Sequence, residues 1–237
     1  KGWGILTVDN FGGTPEKERA RLIRDAARIS AITAQEVSLA DATRGIRGIP
    51  PMHEDPRDVS IGEKAEIMLS IEQAARIEEI VNTRANYTER FEEVTFHDSS
   101  GASEQYEICR SGFGIMAVAS RAGSLQMGYE RRHSIRGLNI RHQQDLGRSA
   151  AERAVALLSA RPARGGTMNA VLDPELAGVF AHEAVGHASE GDLIQEGNSV
   201  LGGKIGERIG SPIVTIVDDP SLPEFGFEPC DAEGSRV

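Results

Sequence analysis

Residues 87–137 read YTERFEEVTFHDSSG (87–101), ASEQYEICRSG (102–112), FGIMAVASRAG (113–123) and SLQMGYERRHSIRG (124–137) without interruption. Apolar and polar residues alternate along these segments, and Gly/Ser-rich turns separate them, a pattern that predicts four strands. The short links between them predict an antiparallel meander. Alternation in the first two implies a face that is wet or that meets a partner.

The segments on either side read as helices. Residues 60–81 carry a helical apolar stripe behind Ser60 and Glu63, a capping-box pair. Residues 143–160 predict a second helix. Residues 14–32 predict another, with Thr14 as N-cap and Pro15 in the first helical position. WGILTV (3–8) is apolar enough for a buried strand, and Gly- and Pro-rich 44–60 reads as a loop. RPARGG (161–166) has the composition of a domain boundary. The expected architecture is α+β: helices packed on a mainly antiparallel sheet over 1–162, then the beginning of a second, β-rich catalytic domain over 163–237. Strands are expected there at 167–173 and 211–219.

Composition narrows the function classes. The chain has 237 residues, 39% of them hydrophobic, and a formal net charge of −10. An acidic balance argues against broad nucleic-acid binding, and the local basic run YERRHSIR (129–136) reads as a solvated face or a dimer contact. The two cysteines, Cys109 and Cys230, are too few and too far apart for a disulfide framework, so a reducing, cytoplasmic setting is expected. No apolar run approaches a membrane span. The opening KGWGILTVDN has no signal-segment pattern and reads like the middle of a strand, so a fragment of a longer protein is expected.

The chemistry concentrates in FAHEAVGHASEGD (180–192). Asp173 and Pro174 start a helix that carries His182, Glu183 and His187. The spacing is H-E-x-x-x-H, one residue longer than the H-E-x-x-H of zinc proteases. In a regular α-helix residues five apart diverge by about 140°, so a straight helix cannot aim both imidazoles at one ion. The spacing therefore predicts a π-bulge or a helix end near Gly186. Glu183, directly after the first histidine, has the place of a general base that activates water. Two histidines are one ligand short of the usual catalytic zinc set. Without metal, the pair is two chance histidines on a helix. Glu190 and Asp192 read as acids on the following turn, and Asp192 as solvated. GGTPEKER near the start lacks phosphate-loop spacing and reads as a turn. His53, His97, His133 and His142 read as ordinary surface histidines.

HEAVGHASEGD (182–192) resembles the motif of the TldD/PmbA (TldD/TldE) metallopeptidases. GWG (2–4), LDPELAGVFAHEAVGH (172–187), GSPIVTIVDDPSLP (210–223) and DAEG (231–234) extend the resemblance over both halves of the chain. It implies a zinc metallopeptidase of the TldD type acting on peptides or unfolded segments within an enclosed cavity. His182 and His187 would hold zinc, Glu183 would be the base, and a cysteine from beyond these residues would be the third ligand. Cys230, beside DAEG, does not fall where that ligand does and reads as a loop cysteine. The resemblance also implies a homodimer, or a heterodimer with a TldE/PmbA-type chain. The rival readings are a peptide-binding or scaffold subunit with an incomplete metal site, and a zinc hydrolase of other substrates. An exposed strand edge of the meander is a further candidate to receive an extended peptide by backbone pairing.

Overall fold

The computed structural model describes residues 4–32, 45–98, 101, 103–231 and 234–236. Its main elements are α1 (Glu16–Ile32), α2 (Ile61–Ala74), β1 (Ile80–His97), β2 (Ser103–Arg121), β3 (Ser124–Ser134), α3 (Gln144–Leu157), α4 (Pro174–Ala181) and α5 (Gly191–Gln195). The strands form an antiparallel sheet in the order β1-β2-β3. The fold is α+β, as the patterning predicts.

The meander has three long strands where four short ones are expected. Segments 102–112 and 113–123 run on as β2. Ser111-Gly112 reads as a turn, yet Gly112 stays in the ladder, opposite Thr88 on one side and His133 on the other. Its glycine answers to close approach and not to a turn. A Cβ on Gly112 would collide with the His133 imidazole, and one on Gly114 with the Tyr129 hydroxyl.

One face of the sheet carries the main core. Phe113, Ile115, Ala117 and Ala119 alternate along β2 and pack against Ile71 of α2, Ala75 that caps it, and Ala150, Ala151 and Ala154 of α3. Small residues let these backbones approach closely. A Cβ on Gly128 of β3 would fall inside the Ala150 carbonyl oxygen, and one on Gly147 of α3 inside the Ile71 carbonyl oxygen. Cys109 lies buried on β2, and burial pushes its thiol up to about 11.

Ser60 caps α2, its side chain accepting from the Glu63 amide at 3.2 Å. The Glu63 carboxylate does not return to Ser60; it accepts from Arg141 at 2.7 Å. The helix stops at Ala74, short of the expected 81, because Ile77 in the turn and Ile80 at the start of β1 pack on the core. Burial overrides a helical period there. At α1 the Pro15 carbonyl accepts from the Glu18 and Arg19 amides, both at 2.9 Å, so Pro15 is the cap. The Thr14 hydroxyl instead donates to the Asn10 carbonyl at 3.1 Å.

The strand expected over 3–8 is absent from its described part, 4–8, and Trp3 lies outside the described residues. The segment runs against α1, where a Cβ on Gly4 would clash with the Ala26 carbonyl. Stretches 167–173 and 211–219 likewise form no strand. Their apolar residues favour strand, but a strand exists only where backbone groups pair. Val171 and Ile213 are 100% and 90% exposed, and no residue of 161–226 is buried.

The chain's last part returns to the sheet. Phe227 joins Ile108 and Ile135 in a second buried cluster. Arg110 of β2 donates to the Phe227 carbonyl at 3.1 Å and to Glu228 at 2.8 Å. The Arg47 amide donates to the Pro229 carbonyl at 2.9 Å. No helix among the described residues is long and apolar enough to cross a membrane.

One ion pair ties the 45–60 loop to the segment before α3. Arg141 donates three hydrogen bonds to Glu54, at 2.7 to 3.0 Å, and these hold the Glu54 carboxyl below its ordinary value of 4.5. A carboxyl lowered by folding contributes stability above its unfolded value and loses it as pH falls through the folded one. Thermal unfolding followed by circular dichroism should therefore show the melting temperature falling as pH drops below about 4.5. Glu54→Gln should flatten that fall, and an unchanged pH profile would contradict the assignment.

Candidate metal centre

The site is built where a helix changes its winding. Asp173 caps α4, its side chain accepting from the Leu176 amide at 2.8 Å. Pro174 occupies the first turn, where its missing N–H costs nothing. From His182 to Gly186 the winding widens into a π-turn, and the His187 amide donates to the His182 carbonyl. A bond between residues five apart sets His187 above His182, as the residue four further on would stand in an α-helix. The extra residue of H-E-x-x-x-H is absorbed in this way.

Glycine does not cause the distortion through unusual backbone angles. Gly186 has ordinary helical values, φ −55° and ψ −60°. A Cβ there would meet the His182 ring at 3.5 Å, an ordinary contact.

The π-turn brings three donors together. Ligand atoms of His182, Glu183 and His187 lie within 4.8 Å of one another, and all three residues are exposed. The two imidazole centroids are 4.4 Å apart, with the rings at 64°. His187 Nε2 lies 3.8 Å from a Glu183 carboxylate oxygen. Nitrogen ligands at about 2.0–2.1 Å from one zinc are at most about 4.2 Å apart, so these side chains need little movement to share an ion. Two imidazoles with a carboxylate also form a donor set suited to zinc.

Glu190 is the residue that pattern reading passes over. Its carboxylate lies 2.8 Å from His187 Nδ1. Such a partner fixes the ring with Nδ1 protonated and leaves Nε2 free for a metal, as outer-shell carboxylates do for metal-bound histidines. The signal in the sequence is its i+3 spacing from His187. The same hydrogen bond, with the charges of Glu190 and then Glu183, raises the proton affinity of His187 above the ordinary value of 6.5. Protons and metal therefore compete for this ring as pH falls.

The remaining candidates lie elsewhere. Among the described residues no other group of three His, Cys, Asp or Glu side chains has this spacing. Cys230 sits near Tyr106, away from the histidines, and burial raises its thiol. His133 stacks at 4.7 Å on Phe225. Asp192 accepts from the Leu193 amide at 2.8 Å at the start of α5.

Comparisons with known proteins place the chain. The PmbA/TldA metallopeptidase central domain matches residues 54–158, and the C-terminal domain of the same family matches 165–237. The chain belongs to the PmbA/TldD metallopeptidase family. A metalloprotease of Methanothermobacter thermautotrophicus is 41% identical over 185 residues, 77% of this chain and 41% of that protein. A metalloprotease of Archaeoglobus fulgidus is 39% identical over 237 residues, 99% of this chain and 53% of that one. A protein of Saccharolobus solfataricus named as a zinc metalloprotease TldD homologue is 26% identical over 193 residues, 75% of this chain and 42% of its own length. The chain thus spans about half the length of these relatives. Among solved structures, a proposed modulator of DNA gyrase from Bacteroides thetaiotaomicron has a TM-score of 0.79 at 21% identity, covering 100% of this chain and 55% of that one. At that identity the likeness speaks for the fold.

Proposed function

We propose that the protein to which these residues belong is a zinc-dependent peptidase acting on peptides or unfolded protein segments. The observation that carries the reading is the π-turn that gathers His182, Glu183 and His187. His182 and His187 hold the metal, and Glu190 keeps the His187 ring oriented. Zinc at such a site supplies Lewis acidity and lowers the pKa of water towards about 7. Glu183 takes the proton from the attacking water and returns it to the leaving amine. The usual catalytic set has three protein ligands, and a cysteine outside these residues would be the third, as the family resemblance implies.

The change in matched domain between residues 158 and 165 supports a division of the chain near 162. A dimer of two such chains, or one with a TldE/PmbA-type partner, and a cytoplasmic setting complete the proposal. The rival, a peptide-binding subunit without activity, is favoured by one feature: among the described residues no thiol joins the two imidazoles. Replacing the base while sparing the ligands separates the two readings. Glu183→Gln should silence hydrolysis and leave zinc in place.

A further inference from the structure

We propose that the cavity between β3 and α4 is a substrate subsite for an acidic side chain, about three residues from the bond to be cut. The inference rests on the peptidase reading above. The cavity measures about 570 Å³ and is lined by Arg131, Arg132, Arg153, Glu130 and Glu175, with Met127 and Tyr129 as its apolar wall.

Its charges are unequally matched. Glu130 is engaged by Arg153 at 2.9 Å and by the Ser149 hydroxyl at 3.1 Å. Arg131 meets Glu175 at 3.4 Å, and both side chains are more than half exposed. Arg132 donates to the neutral amide of Gln143 at 2.7 Å, and no ion pair joins it to a carboxylate among the described residues. Three arginines and two glutamates therefore line the cavity in a chain whose net charge is −10. An incoming carboxylate can pair with Arg132 in the bidentate geometry that guanidinium favours.

The position suits a peptide that reaches the metal centre. Glu175 on α4 and His182, the helical residue that caps it, are seven residues apart, close to two full turns, so they share one face of the helix, about 10 Å apart along its axis. The Arg131–Glu175 contact joins the cavity to that face. An extended peptide advances about 3.3 Å per residue, so about three residues bridge the distance. The mainly apolar cavity of about 550 Å³ between the same helix and residues 208–216, lined by Phe180 and Val185, has a single charged residue, Arg208, in its wall.

The test compares two fluorescein-labelled, unstructured hexapeptides that differ only in Glu or Gln at one position. Binding to the whole chain is read by anisotropy with metal chelated, so that nothing is cleaved. The Glu peptide should bind about fivefold more tightly, the upper range for an exposed pair. Arg132→Gln should abolish that preference without altering the circular dichroism spectrum, and about 0.5 M salt should shrink it. Equal affinities, no binding of either peptide, or a preference that survives Arg132→Gln would each overturn the subsite. A parallel zinc titration keeps the two readings apart. A missing preference in a chain that binds zinc removes only the subsite, and a preference in a chain that binds none removes only the metal centre.

Discussion

Glu183→Gln in the full-length protein should lower hydrolysis of an unfolded protein such as casein by about 10²- to 10⁴-fold, the usual contribution of a general base. The amide is nearly isosteric with the carboxylate and keeps a hydrogen-bonding oxygen, but it cannot accept the proton. Glu183 reaches to 3.8 Å from His187 Nε2, too long for a hydrogen bond and on the same side as the nitrogen that would take the metal. Zinc content should stay at the parent level, because the two imidazoles remain. If zinc is lost together with activity, Glu183 is a ligand. If casein is cut at the parent rate, the base is another residue.

Gly128→Ala should have the largest effect on stability. The added methyl would fall inside the Ala150 carbonyl oxygen, with the Ala154 amide at 2.7 Å. Both are main-chain atoms of α3, which cannot rotate aside as a side chain could. Overpacking usually costs 1–3 kcal/mol, and a backbone collision belongs at or above the top of that range, about 3 kcal/mol. The urea midpoint should therefore fall by about 1–3 M. Gly62→Ala provides the contrast. It lies inside α2, where the nearest atom to its Cβ would be the Ser60 hydroxyl at 3.9 Å, so it should raise stability by up to about 1 kcal/mol. Equal midpoints for Gly128→Ala and the parent would contradict the close packing of α3 on β3.

Much of the fold is legible in local pattern. The meander, the helices after Ser60 and around 144–157, and the Asp173-Pro174 helix start all rest on short-range chemistry: alternation, caps and a fixed proline angle. What misleads is chemistry supplied from across the sheet. Gly112 looks like a turn because the aromatic ring that requires it, His133, lies on the next strand. Ile77 and Ile80 fit a helix until the core recruits them, one in the turn and the other at the start of β1. Stretches 167–173 and 211–219 have the composition of strands but pair with no strand among the described residues.

The winding of the helix at the candidate site is more legible than the sheet. Counting residues between the histidines was enough to require a widened or broken helix, and the π-turn over His182–Gly186 has that geometry. The sequence did not reveal its origin, because Gly186 keeps ordinary helical angles. Glu190 went unassigned because an acid on a turn acquires meaning only when an imidazole nitrogen lies 2.8 Å away.

Zinc titration of the chain against a chromophoric chelator tests the centre most directly. One zinc per chain is predicted, bound less tightly than by a complete set of three protein ligands. His182→Ala and His187→Ala should each weaken binding by more than the roughly 10- to 100-fold typical of losing an outer-shell partner such as Glu190, and His53→Ala should leave it unchanged. Zinc bound as tightly by His182→Ala and His187→Ala as by the parent chain would contradict the account.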